Sequence, residues 1–245
     1  FEAPVVSLAS RYFTRFARKA PAHSMVSSSP LLRTDVLTHL TQACSTTMQW
    51  HTTPLQRYGL IPHYTSKYAD DTAFGSRGTH WQYTFAGADL VAPLHYTSAG
   101  SDRASKLPQQ ATEDLAARTL KWALLFAQQT QPSLTVLLLP NCPAHGYSRF
   151  LTNPRVHHLC TNPTPCFTSN DPNPREADTL PCKYSLDILL VANAAGLHSY
   201  LHQDLLATLA GTIHNAYAIP CNTHLNPWVA ALTTGPAPAD LAASK

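Results

Sequence analysis

Glycine is scarce in this chain, nine residues in 245 against twenty prolines. No G-x-G-x-x-G run occurs, so the usual glycine-rich cradle for nucleotide phosphates is not encoded. Charge is also sparse: 13% of residues are charged and 44% are hydrophobic. Typical soluble domains carry about 25% charged residues. Disorder over the whole chain is thereby excluded, because it needs high charge and little apolar content. The formal net charge of +3 is too small to mark a nucleic-acid protein by itself. The six cysteines include no C-x-x-C pair, which excludes a ribbon-type zinc site and, at this length, a disulfide framework. His157, His158, Cys160, Cys166 and Cys182 crowd one region, but free thiols and loop histidines account for them without a metal. No apolar run reaches the ~18 residues of a membrane span.

What is present begins with a basic arm. Between Glu2 and Asp35 there is no acid, while Arg11, Arg15, Arg18, Lys19 and Arg33 all fall there. Such an acid-poor, serine-containing start, opening on Phe1 instead of Met, fits the tail of an organellar transit peptide or an arm that lies on phosphate. Residues 1–30 are read as this arm, 31–215 as the main domain and 216–245 as a C-terminal extension.

Within the main domain, Thr34-Asp35 precedes Val36, Leu37 and Leu40 at helical spacing. Ser45 to His51 reads as a short strand, and Gln56 to His63 as a short helix interrupted at Pro62. The clearest helix opens at Thr112-Glu113-Asp114 and runs to about Gln129, with Leu115, Thr119, Trp122, Ala123 and Phe126 on one face. Acids at its start would suit the helix dipole. Leu134 to Leu139 and Tyr184 to Ala192 are apolar runs of strand length, the pattern of strands buried on both faces. A proline-rich excursion, Asn141 to Pro181, separates them. Leu197 to Ala210 reads as a helix, and a short closing segment contains Trp228. This order predicts an α/β, doubly wound architecture.

Tyr68-Ala69-Asp70-Asp71 matches the paired-aspartate turn of reverse transcriptases, where two carboxylates hold two metals. No second acidic motif lies upstream, so the pair reads as a solvated acidic turn. Phe74-Gly75-Ser76-Arg77-Gly78 carries more information in its context. Thr53-Pro54-Leu55 and Tyr58 precede it, with Tyr64, Tyr68 and Asp71 between. This series resembles the phosphorylated-CTD-interacting factor family, the cap-specific adenosine N6-methyltransferases, with their S-P-L-N-x-Y-F, Y-C-S-A-F and F-G-S-R-G segments. The similarity extends over roughly residues 31–200 and is strongest between 50 and 80. It continues through Gly87 to Tyr96, Glu113-Asp114-Leu115, Ser133 to Pro140 and Tyr184 to Asn193.

The resemblance implies a Rossmann-like S-adenosylmethionine methyltransferase fold, a mixed, mostly parallel sheet with helices on both faces. It would put the methyl donor over the strand end at Thr53 and Pro54 and over the loop Phe74, Gly75, Ser76, Arg77 and Gly78. A donor ribose wants a carboxylate near the second strand. Gln49 stands where the family has an acid, and Asp70 and Asp71 are the nearest carboxylates.

The family's catalytic Asn-Pro-Pro-Phe, however, corresponds here to Ala92-Pro93-Leu94-His95. In that motif an amide oxygen and a proline carbonyl accept hydrogens from the adenine amine while an aromatic ring stacks on the base. Alanine has no acceptor, and His95 is a poorer stacking surface than Phe. Loss of one positioned hydrogen-bonding group typically costs ~10²–10³ in rate. Some fifteen residues near Thr97 to Gln110 also look inserted relative to the family.

The sequence therefore predicts a methyltransferase-like pseudoenzyme with no catalytic set intact, no metal, and no cofactor unless the S-adenosylmethionine pocket is retained. Its role would be architectural or RNA-binding within a larger ribonucleoprotein or protein complex, with Arg57, Arg77, Arg11, Arg15, Arg18 and Lys19 on RNA phosphates. The alternative is an active S-adenosylmethionine-dependent RNA adenosine N6-methyltransferase. The family resemblance points to the nucleus, whereas the basic start leans toward a mitochondrial location.

Overall fold

The computed structural model describes residues 3, 5–10, 33–52, 54, 57, 59–66, 68–79, 87–91, 109–141, 147–162, 166–168, 179–181, 185–218, 220–222 and 224–234. Its strands are β1 (Met48–Thr52), β2 (His63–Ser66), β3 (Gly87–Val91), β4 (Ser133–Asn141), β5 (Val156–Asn162), β6 (Cys166–Thr168), β7 (Thr179–Pro181) and β8 (Ser185–Ala192). Among the described residues the named helices are α1 (Thr34–Ala43), α2 (Gln109–Ala127), α3 (Ala194–Tyr200), α4 (Gln203–Tyr217) and α5 (Asn226–Thr234), and residues 5–10 are also helical. Six strands form one sheet in the order β2-β1-β3-β4-β8-β5, and β6 and β7 form a separate hairpin. β2, β1, β3 and β4 run parallel, whereas β8 is antiparallel to both β4 and β5. The architecture is α/β, as predicted.

Alternation along β4 and β8 builds a core on each face of the sheet. Leu134, Val136, Leu138, Ile188, Leu190 and Ala192 share one cluster with residues of α1, α3, α4 and α5. Leu137, Leu139, Leu189 and Val191 share the other with Leu120, Ala123, Leu124 and Phe126 of α2 and with Met48 and Trp50 of β1. Each fully buried Leu or Ile contributes roughly 1.5–3 kcal/mol relative to exposure. The pattern of strands apolar on both sides is thereby explained.

Several expectations are corrected. The described residues of 57–62 form turns and bends, not a helix, and His63 opens β2. Pro62 supplies no amide donor and pushes Ile61 away from helical geometry. α2 starts at Gln109, so Glu113 and Asp114 fall outside its first turn, which holds no acid. The excursion between β4 and β8 contains β5, one of the sheet's two edge strands. The helix expected from Leu197 to Ala210 is two helices: Leu201 is extended (φ −95°, ψ 118°) and the His202 amide donates to Ala43 O at 2.8 Å. Leu225 and Trp228 of the predicted extension are buried in the same core as α1 and α4.

Candidate functional site

In an open, mostly parallel sheet, ligands bind beyond the carboxyl ends of strands where the strand order reverses. Here that point is β1, which pairs with β2 on one side and with β3 on the other. Thr52 is in register with Ser66, and Trp50 with Val91, so the three strands end at one edge. Pro54, of the predicted donor-binding segment, follows β1 at this edge; Thr53 lies outside the described residues. Ala92, Pro93, Leu94 and His95 also lie outside them, as do Arg11, Arg15, Arg18 and Lys19. β3 stops at Val91, immediately before the degenerate motif in the sequence.

Beyond β2 the chain makes a 3-10 turn, Ala69–Phe74, and then the Phe74–Gly78 loop. Gly75 (φ 88°) and Gly78 (φ 102°) take left-handed conformations, which accounts for glycine at both positions. The loop folds back along β2: Arg77 N donates to Tyr64 O at 2.8 Å, Ser66 N donates to Gly78 O at 3.0 Å, and Thr79 bridges Ser66 in parallel. Tyr64 Oη donates to Phe74 O at 2.8 Å. The loop thus covers the free edge of the sheet.

Its amides are already engaged. Gly75 N donates to Thr72 O at 3.1 Å, Ser76 N to Asp71 O at 3.1 Å and Gly78 N to Ser76 Oγ at 3.2 Å, in addition to the Arg77–Tyr64 bond. The four consecutive N–H groups from Gly75 to Gly78 are therefore spent inside the protein. As it stands, the loop fits a donor molecule only through carbonyls and side chains, not through an amide cradle.

The aspartate pair divides. Asp70 is exposed, with Ser7 Oγ 3.4 Å from its Oδ2. Asp71 is fully buried and accepts a hydrogen bond from Ser66 Oγ. The solvated-turn reading is thus corrected for Asp71, and two carboxylates so differently placed do not form a two-metal site. Ser66 Oγ in turn accepts from Tyr68 N at 3.2 Å. Asp71 consequently anchors the loop beside the carboxyl end of β2.

Arg57 and Arg77 are exposed and attach to neighbouring residues of β2. The Arg57 guanidinium lies 5.8 Å from the Tyr64 ring centroid, and Arg77 Nη2 is 3.4 Å from His63 Nδ1. Successive strand residues face opposite ways, so the two cations flank the edge strand from its two sides. Among the described residues neither makes an ion pair with a carboxylate.

One cluster was missed in the sequence. Asp187, 2% exposed, accepts from Tyr147 Oη at 2.8 Å and lies 3.1 Å from His158 Nε2. A lone carboxylate inside the apolar run Tyr184 to Ala192 was the available signal. His157 faces the other way, donating from Nε2 to Asn222 O at 2.9 Å and stacking on Trp228. The two histidines therefore cannot share a metal, and no metal-holding group of three or more His, Cys, Asp or Glu occurs among the described residues. A surface cavity of about 350 Å³, lined by residues including Leu197, His198, His202 and Asp204, involves none of the predicted site residues. Among the described residues no helix is long and apolar enough to cross a membrane. No protein-family model matches the chain, and no curated protein matches it.

Proposed function

We propose that this chain is a methyltransferase-like protein of Rossmann-like fold that has lost methyl-transfer chemistry. It serves as a structural or RNA-binding component of a larger ribonucleoprotein or protein complex. The reading rests on the family resemblance of residues 50–80. The observation that carries it is that all four amides from Gly75 to Gly78 are engaged inside the protein, Arg77 N on β2 and the other three within the turn and loop. A loop used this way is architecture, and the alanine that follows Val91 supplies no acceptor for an adenine amine. The guanidinium groups of Arg57 and Arg77, which pair with no carboxylate among the described residues, support phosphate contact, which needs only placed cations.

One observation favours the alternative, a retained donor site in an active adenosine N6-methyltransferase. Asp70 is an exposed carboxylate in the turn that follows β2, near the strand end where dinucleotide-binding folds hold a ribose. Titration calorimetry with S-adenosylmethionine on the wild type and on Ala92→Asn separates the two. The proposed function expects no heat from either protein, together with RNA binding that weakens in Arg57→Ala/Arg77→Ala. Tight donor binding by the wild type, followed by methylation of adenosine in RNA, would establish the alternative.

A further inference from the structure

Residues 220–222 run alongside the sheet's outer strand. Asn222 N donates to Leu159 O at 2.7 Å, and His157 Nε2 donates to Asn222 O at 2.9 Å. Trp228 Nε1 donates to Pro154 O at 2.8 Å, and the His157 and Trp228 rings stack with centroids 5.1 Å apart. These contacts hold the segment leading into α5 against β5. The Asn222–Leu159 rung brings the next residues, Cys221 and Cys160, together as free thiols in one apolar cluster. Cys160 is 5% exposed, whereas Cys221 is only partly buried.

We propose that Cys160 and Cys221 form a reversible thiol–disulfide site whose substrate is a low-molecular-weight disulfide of the glutathione type. Cys221, the reachable sulfur, attacks one sulfur of the small disulfide as thiolate. The disulfide's S–S bond breaks, a mixed disulfide forms on Cys221, and one small thiolate leaves. Cys160 then attacks the Cys221 sulfur and expels the second small thiolate, which takes up the proton that Cys160 loses. In sum, two protein thiols are oxidised to one protein disulfide and one small disulfide is reduced to two small thiols. The product bond fastens the segment before α5 to β5.

The environment of each thiol suits its part. The Cys160 thiol, placed to hydrogen-bond the Cys221 sulfur, holds the Cys221 pKa below the ordinary thiol value against the opposing effect of burial. Cys160 itself is pushed up, first by that hydrogen bond and then by burial, so it resolves the mixed disulfide and does not initiate. Cys44, fully buried and pushed up to about 12 by desolvation, is an internal control.

The test incubates the full chain with oxidised glutathione and maps peptides by mass spectrometry without reduction. A Cys160–Cys221 cross-linked peptide, and a Tm raised by roughly 5–10 °C, are expected. In Cys160→Ser the reaction should stop at a glutathione adduct on Cys221. A wild-type protein that accumulates only the adduct, or leaves Cys221 unmodified, overturns the proposal. Should Cys160→Ser not fold, native-state alkylation of the wild type decides. Cys221 should then react at least ~10-fold faster than Cys44, and equal rates would overturn the assignment.

Discussion

Gly196 of α3 lies directly against Ser133, the first residue of β4. A β-carbon on Gly196 would come within 2.0 Å of the Ser133 carbonyl oxygen and 2.7 Å of its nitrogen. Asn193 fixes this approach: its Oδ1 accepts from Gly196 N at 2.7 Å and from Ser133 N at 3.2 Å. Its Nδ2 donates to Gln129 O and Gln131 O at 2.9 and 2.7 Å. The asparagine that follows the late strand thus joins the connection between α2 and β4, the start of β4 and α3 at the end of the sheet opposite the candidate site.

Gly196→Ala should therefore destabilise strongly. In an open helix the same change would gain about 1 kcal/mol from propensity. Here the obstacle is backbone, so the loss should reach at least the ~3 kcal/mol upper end of ordinary overpacking. Urea unfolding should show a lower midpoint with unchanged slope. An unaltered midpoint would mean that α3 does not dock on Ser133.

Asp71→Ala should loosen the loop that covers β2. It removes the acceptor for Ser66 Oγ at a site with no exposure, a loss of about 1–3 kcal/mol for a buried donor left without its partner. Asp71→Asn keeps an oxygen acceptor and should cost less. Amide exchange at Arg77 should accelerate in the alanine variant, because its bond to Tyr64 O depends on the loop's position. Equal stability of the two variants would rule out the anchoring role.

The sequence made α1, β1, β4 and β8 legible because each is a single periodic or apolar run. It did not reveal that β8 runs antiparallel to β4. A strand buried on both faces, such as Ile188 to Ala192, carries no signal of its direction. β5 was hidden for the opposite reason: at the sheet edge, His157 and His158 are paired by Asn222 and Asp187, so the strand needs no apolar run. At the candidate site, Phe74–Gly78 was visible as a motif. That its amides are spent inside the protein was not, since those bonds, to Tyr64 of β2 and to Asp71, Thr72 and Ser76 of the turn and loop, form only as the loop folds. The different fates of Asp70 and Asp71 likewise depend on Ser66, which no local pattern connects to them.

Stability should fall in mild acid through His157. Burial lowers its pKa below 6.5, reinforced by the neighbouring His158 and opposed by the bond to Asn222. The unfolded chain then binds more protons than the native one between the two pKa values, so stability rises with pH there. The contribution is complete above the unfolded value of about 6.5 and is lost as pH drops below it toward the folded pKa. A difference profile of Tm against pH for wild type and His157→Gln isolates this group from the other histidines. The wild type should lose more than the variant between roughly pH 7 and 5.5, with a slope of at most ~1.4 kcal/mol per pH unit. Parallel profiles would show that the ring does not titrate with folding.

The salt dependence of RNA affinity provides the sharpest test of the cationic edge. Each phosphate contact on a single strand contributes about 0.7 to the slope of log affinity against log salt. Arg57 and Arg77 sit on opposite sides of β2 with no carboxylate pairing either among the described residues, so each is available for one contact. The double alanine variant should therefore lower the slope by roughly 1.4 and weaken binding almost equally across RNA sequences. Arg57→Lys/Arg77→Lys should retain most of the slope, since a point charge suffices for phosphate. A slope unchanged in the alanine variant would place the RNA elsewhere on the molecule and leave these arginines with their packing roles on Tyr64 and His63.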